Sequence, residues 1–247
     1  MENEHGNERT CRKEPHRKEY RYFDLILGAF VAVLLISNIA STKIIGIPLP
    51  GLFGKSLAFS FDGGTILFPI SYIFGDILTE VYGFERSRRV IWSGFFGLAL
   101  MSLTIWLVGI LPAAPDWGAQ EAYSQILMTA PRIAGASIIA YFVGELLNSF
   151  VMSKMKIHMR GKRLWVRTIG STIVGQLVDT VLFVGIAFGG TMPVSLLWDI
   201  AIFNYIFKIA FEIVITPLTY KIVGWLKRVE NEDKYDYDAD YNPFKLS

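Results

Sequence analysis

Six stretches of this chain are apolar for about 20 residues each, the length an α-helix needs to cross a hydrocarbon core of about 30 Å. They lie near residues 23–42, 65–83, 90–111, 131–152, 166–188 and 196–226. None alternates polar with apolar residues as a half-buried strand does. In lipid, only helices and closed barrels satisfy every backbone group internally. The fold expected is therefore all-α: a polytopic membrane protein of six transmembrane helices. A hydrophobic content of 52% over 247 residues is too high for an ordinary soluble domain and agrees with this. The first apolar run has full spanning length and no small-residue cleavage site, so it reads as an anchor and not as a removed signal peptide. Residues 1–22 form a polar tail expected to be disordered, 23–226 the membrane domain, and 227–247 a mostly acidic tail whose part after residue 230 is expected to be disordered.

Charge placement sets the orientation. Lys and Arg crowd the N-terminal tail (Arg9, Arg12, Lys13, Arg17, Lys18, Arg21), the second connection (Arg86, Arg88, Arg89), the fourth (Lys154, Lys156, Arg160, Lys162, Arg163, Arg167) and the C-terminal side (Lys227, Arg228). The alternate connections are poor in both: 112–130 holds only Asp116 and Glu121, and 189–195 holds no charge. With six spans, every basic segment falls on one side, which puts both termini in the cytoplasm. The first connection, Lys43 to Gly64, is Gly- and Pro-rich and reads as an extended hairpin or a dipping segment on the outer face. Pro217 marks a kink point in the last span. The only cysteine, Cys11, lies in a charged tail, so no internal disulfide forms.

The second span carries acids inside an apolar run. A carboxylate at the centre of a membrane helix costs roughly 2.5–3.5 kcal/mol on insertion scales, so it is seldom there without a use. The i, i+4 spacing puts Asp76 and Glu80 on one face, with Tyr72 and Phe68 continuing the stripe. Further polar residues recur in the other spans: Asn38 in the first, Glu145 and Asn148 in the fourth, Gln176 and Asp179 in the fifth, and Asn204, Lys208 and Glu212 in the sixth. The third span is nearly all apolar and reads as lipid-facing. Asp76, Glu80, Glu145, Asp179 and Glu212 are five interior acids against two bases, Lys43 and Lys208. Such an excess in low dielectric needs protonation, a cation or a cationic ligand to balance it. Each residue also has a structural alternative. Lys208 and Glu212 pair within their own helix, Glu80 neutralises Arg86, Arg88 or Arg89, and Asn38 and Asn148 act as helix–helix glue. Those alternatives account least well for Asp76, Glu145 and Asp179, three acids on three helices. The segment IFGDILTEV (73–81) resembles IVGQLVDTV (173–181) on a helix of opposite direction, the pattern of a three-plus-three inverted repeat with a site near the midplane.

At these residues the chain resembles a known family. SNIASTK (37–43), FP-x-SY (68–72), GD-x-x-TE-x-YG (75–83) followed by Arg86, E-x-x-N (145–148), ST-x-x-x-Q-x-x-DT (171–180) and Lys208 together are similar to the queuosine precursor transporters of bacterial inner membranes. The resemblance covers about residues 20–226, and the second-span motif is its most specific part. It implies import of 7-deazaguanine bases such as the 7-cyano and 7-aminomethyl forms. A guanine-type edge offers an N–H and an NH₂ side by side, which a carboxylate accepts bidentately. A flat ring stacks on aromatic faces. The expected substrate contacts are therefore Asp76, Glu145 and Asp179, with amides from Asn38, Asn148, Gln176 and Asn204, stacking by Phe68 or Tyr72, and Glu80, Lys208 and Glu212 completing the lining.

No G-x-x-x-x-G-K-[ST] occurs, so the chain has no P-loop of its own. A stand-alone carrier coupled to a proton or cation, or a substrate-binding subunit that borrows an ATPase as in energy-coupling-factor importers, both fit; the resemblance favours the first. The partners expected are a small-molecule substrate, the bilayer and the coupling ion, with no cofactor and no nucleic acid. An intramembrane metalloenzyme would need His or Cys clusters, and the six spans contain neither. A channel, or a carrier for another small polar or cationic solute, is the remaining alternative; polar positions spread over five helices suit a closed site better than a continuous pore.

Overall fold

The computed structural model describes residues 20–49, 57–128, 131–190 and 193–245. The helices are α1 (Phe23–Ala40), α2 (Phe68–Tyr82), α3 (Phe84–Ile110), α4 (Gln120–Leu127), α5 (Pro131–His158), α6 (Leu164–Phe188) and α7 (Val194–Glu230). Among the described residues, four helices are long and apolar enough to cross a membrane: α1, α3, α5 and α6. At 15 residues α2 is shorter, about 22 Å. It is led in by a 3-10 turn over Gly63–Ile66. The 37 residues of α7 run about 55 Å without a break, through Pro217.

Polar and apolar residues are inverted relative to a water-soluble bundle. Ser37, Asp76, Thr79, Glu80, Glu145, Asn148, Ser171, Gln176 and Glu212 are buried. Leu100, Leu103, Trp106 and Leu107 on α3, Val174 and Leu177 on α6, and Ile206 and Val214 on α7 are exposed. A surface this apolar needs lipid around it. α2 is the hub, packing against α1, α3, α5 and α7, while α5 and α6 make the longest pairing. Three hydroxyls knot α2, α3 and α5 together: Thr79, Ser87 and Ser149 lie 3.0 Å apart in each pairing, all buried.

Several connections differ from the sequence expectation. The first is a two-stranded antiparallel hairpin, β1 (Ile44–Leu49) with β2 (Leu57–Asp62), in register from Ile44 opposite Asp62 to Leu49 opposite Leu57. The second connection is a single residue. Gly83 adopts φ +84°, a left-handed value that suits glycine, and α3 starts at Phe84. Arg86, Arg88 and Arg89 therefore belong to the first turns of α3 and not to a loop. The 112–130 segment holds the short helix α4, which no spanning-length pattern announces.

The acidic tail is ordered over residues 231–245, contrary to expectation, because the basic ends of the helices give it a binding surface. The buried Asp236 carboxylate accepts from Phe84 N at 2.9 Å and from Ser153 Oγ at 2.6 Å. Arg88 Nη1 donates to the carbonyls of Asp240 and Asn242, each at 2.6 Å. Trp92 Nε1 donates to Pro243 O at 2.8 Å. The Tyr241 ring packs on Phe84 and Phe150 under the Lys154 ammonium. Burial pushes the Asp233 carboxyl up, but hydrogen bonds from Lys156 and Lys227 outweigh it and hold it below the ordinary aspartate range. Its contribution is thus complete above the unfolded-state value and is lost as pH falls through the lowered one. Asp236→Ala strands the Phe84 backbone N–H and leaves the Ser153 hydroxyl with Tyr241 alone, a cost of about 1–3 kcal/mol. A lower midpoint in thermal unfolding and faster proteolysis of the tail are the expected readouts.

The residues just before α1 meet the end of α7. Tyr22 N and Arg21 N donate to the Glu230 carboxylate at 2.7 and 3.1 Å, and Tyr20 Oη donates to Glu232 at 2.7 Å. Arg86 stacks over Tyr20 at 4.1 Å. The start of α1, the α2–α3 link, the α5–α6 link and the end of α7 therefore share one end of the bundle. The basic N-terminal stretch, residues 1–19, lies outside the described residues.

Candidate functional site

α2 presents Tyr72, Asp76 and Glu80 at successive turns, as i, i+4 spacing dictates. The three meet different neighbours. Asp76 is fully buried and accepts from Asn148 Nδ2 of α5 at 3.1 Å. Glu212, on α7 packed against α2, is itself 1% exposed. Tyr72 is half-buried, with the Lys208 ammonium 5.9 Å from its ring centre. Lys208 donates to Asp179 Oδ2 of α6 at 2.6 Å, so it pairs between helices and not with Glu212 on its own helix.

Glu80 stands apart from this group. Arg167 grips both its oxygens, through Nη1 on Oε2 and through Nη2 on Oε1 at 3.1 Å. Lys227 Nζ lies 2.5 Å from Oε1 and Lys156 Nζ 3.7 Å. Lys156 and Lys227 also reach Asp233, at 2.5 and 2.9 Å. The neutralising cations come from α5, α6 and α7, not from Arg86, Arg88 or Arg89. The Glu80 oxygens are taken by a structural ion cluster that ties four helices to the tail.

Glycines set the remaining geometry. A Cβ on Gly75 would run into Glu145 Oε1, so the Glu145 carboxyl lies directly on the α2 backbone beside Asp76. A Cβ on Gly144 would fall 2.7 Å from Asp179 Cβ and 3.2 Å from the Gly175 carbonyl oxygen. One on Gly175 would fall 2.8 Å from Asn148 Cβ and 2.9 Å from the Gly144 carbonyl oxygen. α5 and α6 therefore cross backbone to backbone, as small residues permit in membrane bundles. Each of the three glycines precedes a polar pair: Gly75-Asp76 with Thr79, Gly144-Glu145 with Asn148, and Gly175-Gln176 with Asp179. This G-x-x-x spacing on three helices is the signal that marks the glycines as part of the site, and sequence reasoning based on acids alone passes over it.

Glu145, Asn148 and Gln176 are 5%, 3% and 5% exposed. Asp76 Oδ2, Glu145 Oε1, Asn148 Oδ1, Gln176 Oε1 and Glu212 Oε1 have no hydrogen-bond donor among the described residues. With Asp179 matched by Lys208 and Glu80 by its cluster, the acids left without a described cation are Asp76, Glu145 and Glu212. The arrangement is rich in acceptors and short of donors, so it suits a donor-bearing or cationic guest. The Asn38 Nδ2 donates to Leu34 O of its own helix at 2.9 Å. Asn204 is half-buried on α7, one turn before Lys208. Phe68 begins α2, and its side chain lies outside the described residues. Among the described residues there is no cluster of His, Cys, Asp and Glu able to hold a metal ion.

Residues 62–222, about two thirds of the chain, match the family described as "Putative vitamin uptake transporter". The chain is 33% identical over 161 residues to the "Probable queuosine precursor transporter" of Bacillus subtilis (strain 168), covering 64% of this chain and 69% of the relative. It is 27% identical over 186 residues to the "Queuosine precursor transporter" of Escherichia coli (strain K12), covering 74% and 81%. A third relative, the "Probable queuosine precursor transporter" of Haemophilus influenzae, is 27% identical over 175 residues, covering 69% and 72%. No solved structure matches the chain. These relatives are named as transporters and none as an enzyme. Matched through α2, α3, α5, α6 and most of α7, this chain belongs to the vitamin uptake transporter family.

Proposed function

We propose that this protein imports queuosine precursors, 7-deazaguanine bases in the 7-cyano or 7-aminomethyl form, across the bacterial inner membrane as a stand-alone ion-coupled carrier. The observation that carries the reading is the donor-poor group on α2, α5, α6 and α7. Acceptors at Asp76, Glu145, Asn148 and Gln176 suit the N–H and NH₂ edge of a guanine-type base. Tyr72 offers a ring face, and the Lys208–Asp179 pair offers both a donor and an acceptor. The names of the relatives support the substrate.

α1, α2, α3, α5, α6 and α7 are the six membrane crossings in this reading, with both termini cytoplasmic. The shared end formed by Tyr22, Gly83, Arg167 and Glu230 carries the Lys and Arg residues, which supports that orientation. The likeness of 73–81 to 173–181 supports a three-plus-three inverted repeat, with α2 and α6 as equivalent helices.

The test is uptake of radiolabelled 7-cyano- and 7-aminomethyl-7-deazaguanine by cells that cannot synthesise them. Asp76→Asn and Asp179→Asn should each abolish uptake while the protein still inserts in the membrane. Normal uptake by both variants overturns the site. Accumulation that needs added ATP and a partner ATPase, in place of purified protein alone in liposomes, overturns the stand-alone mode.

A further inference from the structure

The link between α5 and α6 carries positive charge that the chain itself does not neutralise. From 146 to 178 there is no Asp or Glu, but there are Lys154, Lys156, Arg160, Lys162, Arg163 and Arg167. Three of these are matched inside the fold. Lys156 is held by Glu80 and Asp233, Arg167 by Glu80, and the Lys154 ammonium lies 3.7 Å from the centre of the Tyr241 ring. Arg160, Lys162 and Arg163 are exposed, and none forms an ion pair among the described residues. The same holds for Lys221, exposed on α7 within 213–229, a stretch that has no acid.

One hydrogen bond brings the two groups of cations to the same place. Trp165 N, in the first turn of α6, donates to Tyr220 Oη of α7 at 2.9 Å. Lys162 and Arg163 stand just before that amide in the chain, and Lys221 just after that phenol. The Trp165 and Tyr220 side chains are themselves 52% and 40% exposed, an aromatic pair of the kind that sits at a membrane–water interface. Ile173, Leu177 and Val181 lie at multiples of four residues from Trp165, along one ridge of α6, and all three are exposed. The α6–α7 seam thus passes from a surface that needs acyl chains, through two interfacial rings, to three cations without a described anion. Positive-inside bias accounts for the sign of these cations but not for their lack of partners, since Lys156, Arg167 and Lys227 at the same end of the bundle are matched by carboxylates of the chain.

We propose that Lys162, Arg163 and Lys221 bind the headgroup of an anionic phospholipid at the α6–α7 seam, with its acyl chains along the exposed ridge of α6. The geometry of the seam is independent of the import reading; only the leaflet, cytoplasmic in the orientation given above, rests on it. Arg163 offers phosphate oxygens a planar fork of N–H donors, and the two lysines add point charges on long stems that reach the headgroup level from a helix end. A zwitterionic headgroup has a phosphate as well, but its own ammonium cancels the net charge that three cations select.

Native mass spectrometry of the full-length protein tests this, after delipidation in detergent and addition of equal amounts of phosphatidylglycerol and phosphatidylcholine. The wild type should retain phosphatidylglycerol in preference. The triple variant Lys162→Gln, Arg163→Gln and Lys221→Gln should retain it about tenfold less or weaker still, as loss of several juxtamembrane cations dictates. Arg89→Gln, which removes a charge from the start of α3 at the same end of the bundle, should bind like the wild type. Lys162→Arg with Lys221→Arg keeps the charge and should keep the lipid. Equal retention of the two lipids by the wild type, or undiminished phosphatidylglycerol on the triple variant, overturns the proposal. Displacement of the lipid by excess inorganic phosphate would identify a site for a free anion and overturn the lipid assignment. Uptake enters none of these readouts, so failure of the import reading leaves them decisive.

Discussion

Glu80→Ala should unfold much of the protein, not merely slow transport. The substitution leaves Arg167 and Lys156, 1% and 2% exposed, together with Lys227, without the carboxylate they share. Breaking a buried ion pair from one side costs about 3–5 kcal/mol, because the surviving charge is left without a partner. The cost here falls at the upper end, since one carboxylate serves three cations. Asp233 can hold Lys156 and Lys227 in part, but Arg167 has no second carboxylate among the described residues. The readout is the folded fraction after detergent extraction and the thermal midpoint of what remains. Adding Arg167→Leu should recover part of the loss, because it removes the stranded charge; a purely additive double variant would show that the pair is not the source. An unchanged midpoint in Glu80→Ala would assign Glu80 back to the substrate site.

The second large effect is expected at the α5–α6 crossing. Gly144→Leu and Gly175→Leu each force a side chain against backbone. The Cβ alone meets a carbonyl oxygen at 3.2 and 2.9 Å, and the rest of the leucine has nowhere to go. Overpacking usually costs about 1–3 kcal/mol, and rigid backbone in the contact places these variants at or beyond the top of that range. Separating the helices also shifts Asn148 and Asp179, which sit directly on the crossing. Uptake should fall below detection in both variants, with a lowered thermal midpoint. Gly135→Ala and Gly185→Ala lie on the same two helices, where an added Cβ meets nothing within 4 Å, and should behave like the wild type. If all four variants behave alike, close helix approach is not what the glycines provide.

The elements visible in the sequence were those with a local cause. Apolar runs mark α1, α3, α5 and α6 because lipid imposes a length. The i, i+4 stripe of Tyr72, Asp76 and Glu80 follows from helix geometry alone. What stayed hidden depends on pairing across long separations. The partners of Glu80 lie 87 residues away at Arg167 and 147 away at Lys227, while the nearer arginines turn to the tail and to Tyr20. The tail looks disordered because an acidic, aperiodic stretch has no core of its own. It is ordered by a surface supplied from α2, α3 and α5. The α4 turn and the hairpin are too short to carry a period. The glycines of the site are visible only once three helices are compared, since one glycine before one acid carries no meaning.

The docking of residues 231–245 has a consequence for labelling. Asp233 and Asp236 complete the sockets of Lys156, Lys227, Ser153 and the Phe84 amide. A reporter inserted immediately after Glu230 would draw those carboxylates away and leave the ammonium groups of Lys156 and Lys227 to Glu80. The exposed stretch 112–119, beyond the far end of α3, offers a place for a tag that leaves the basic pole intact.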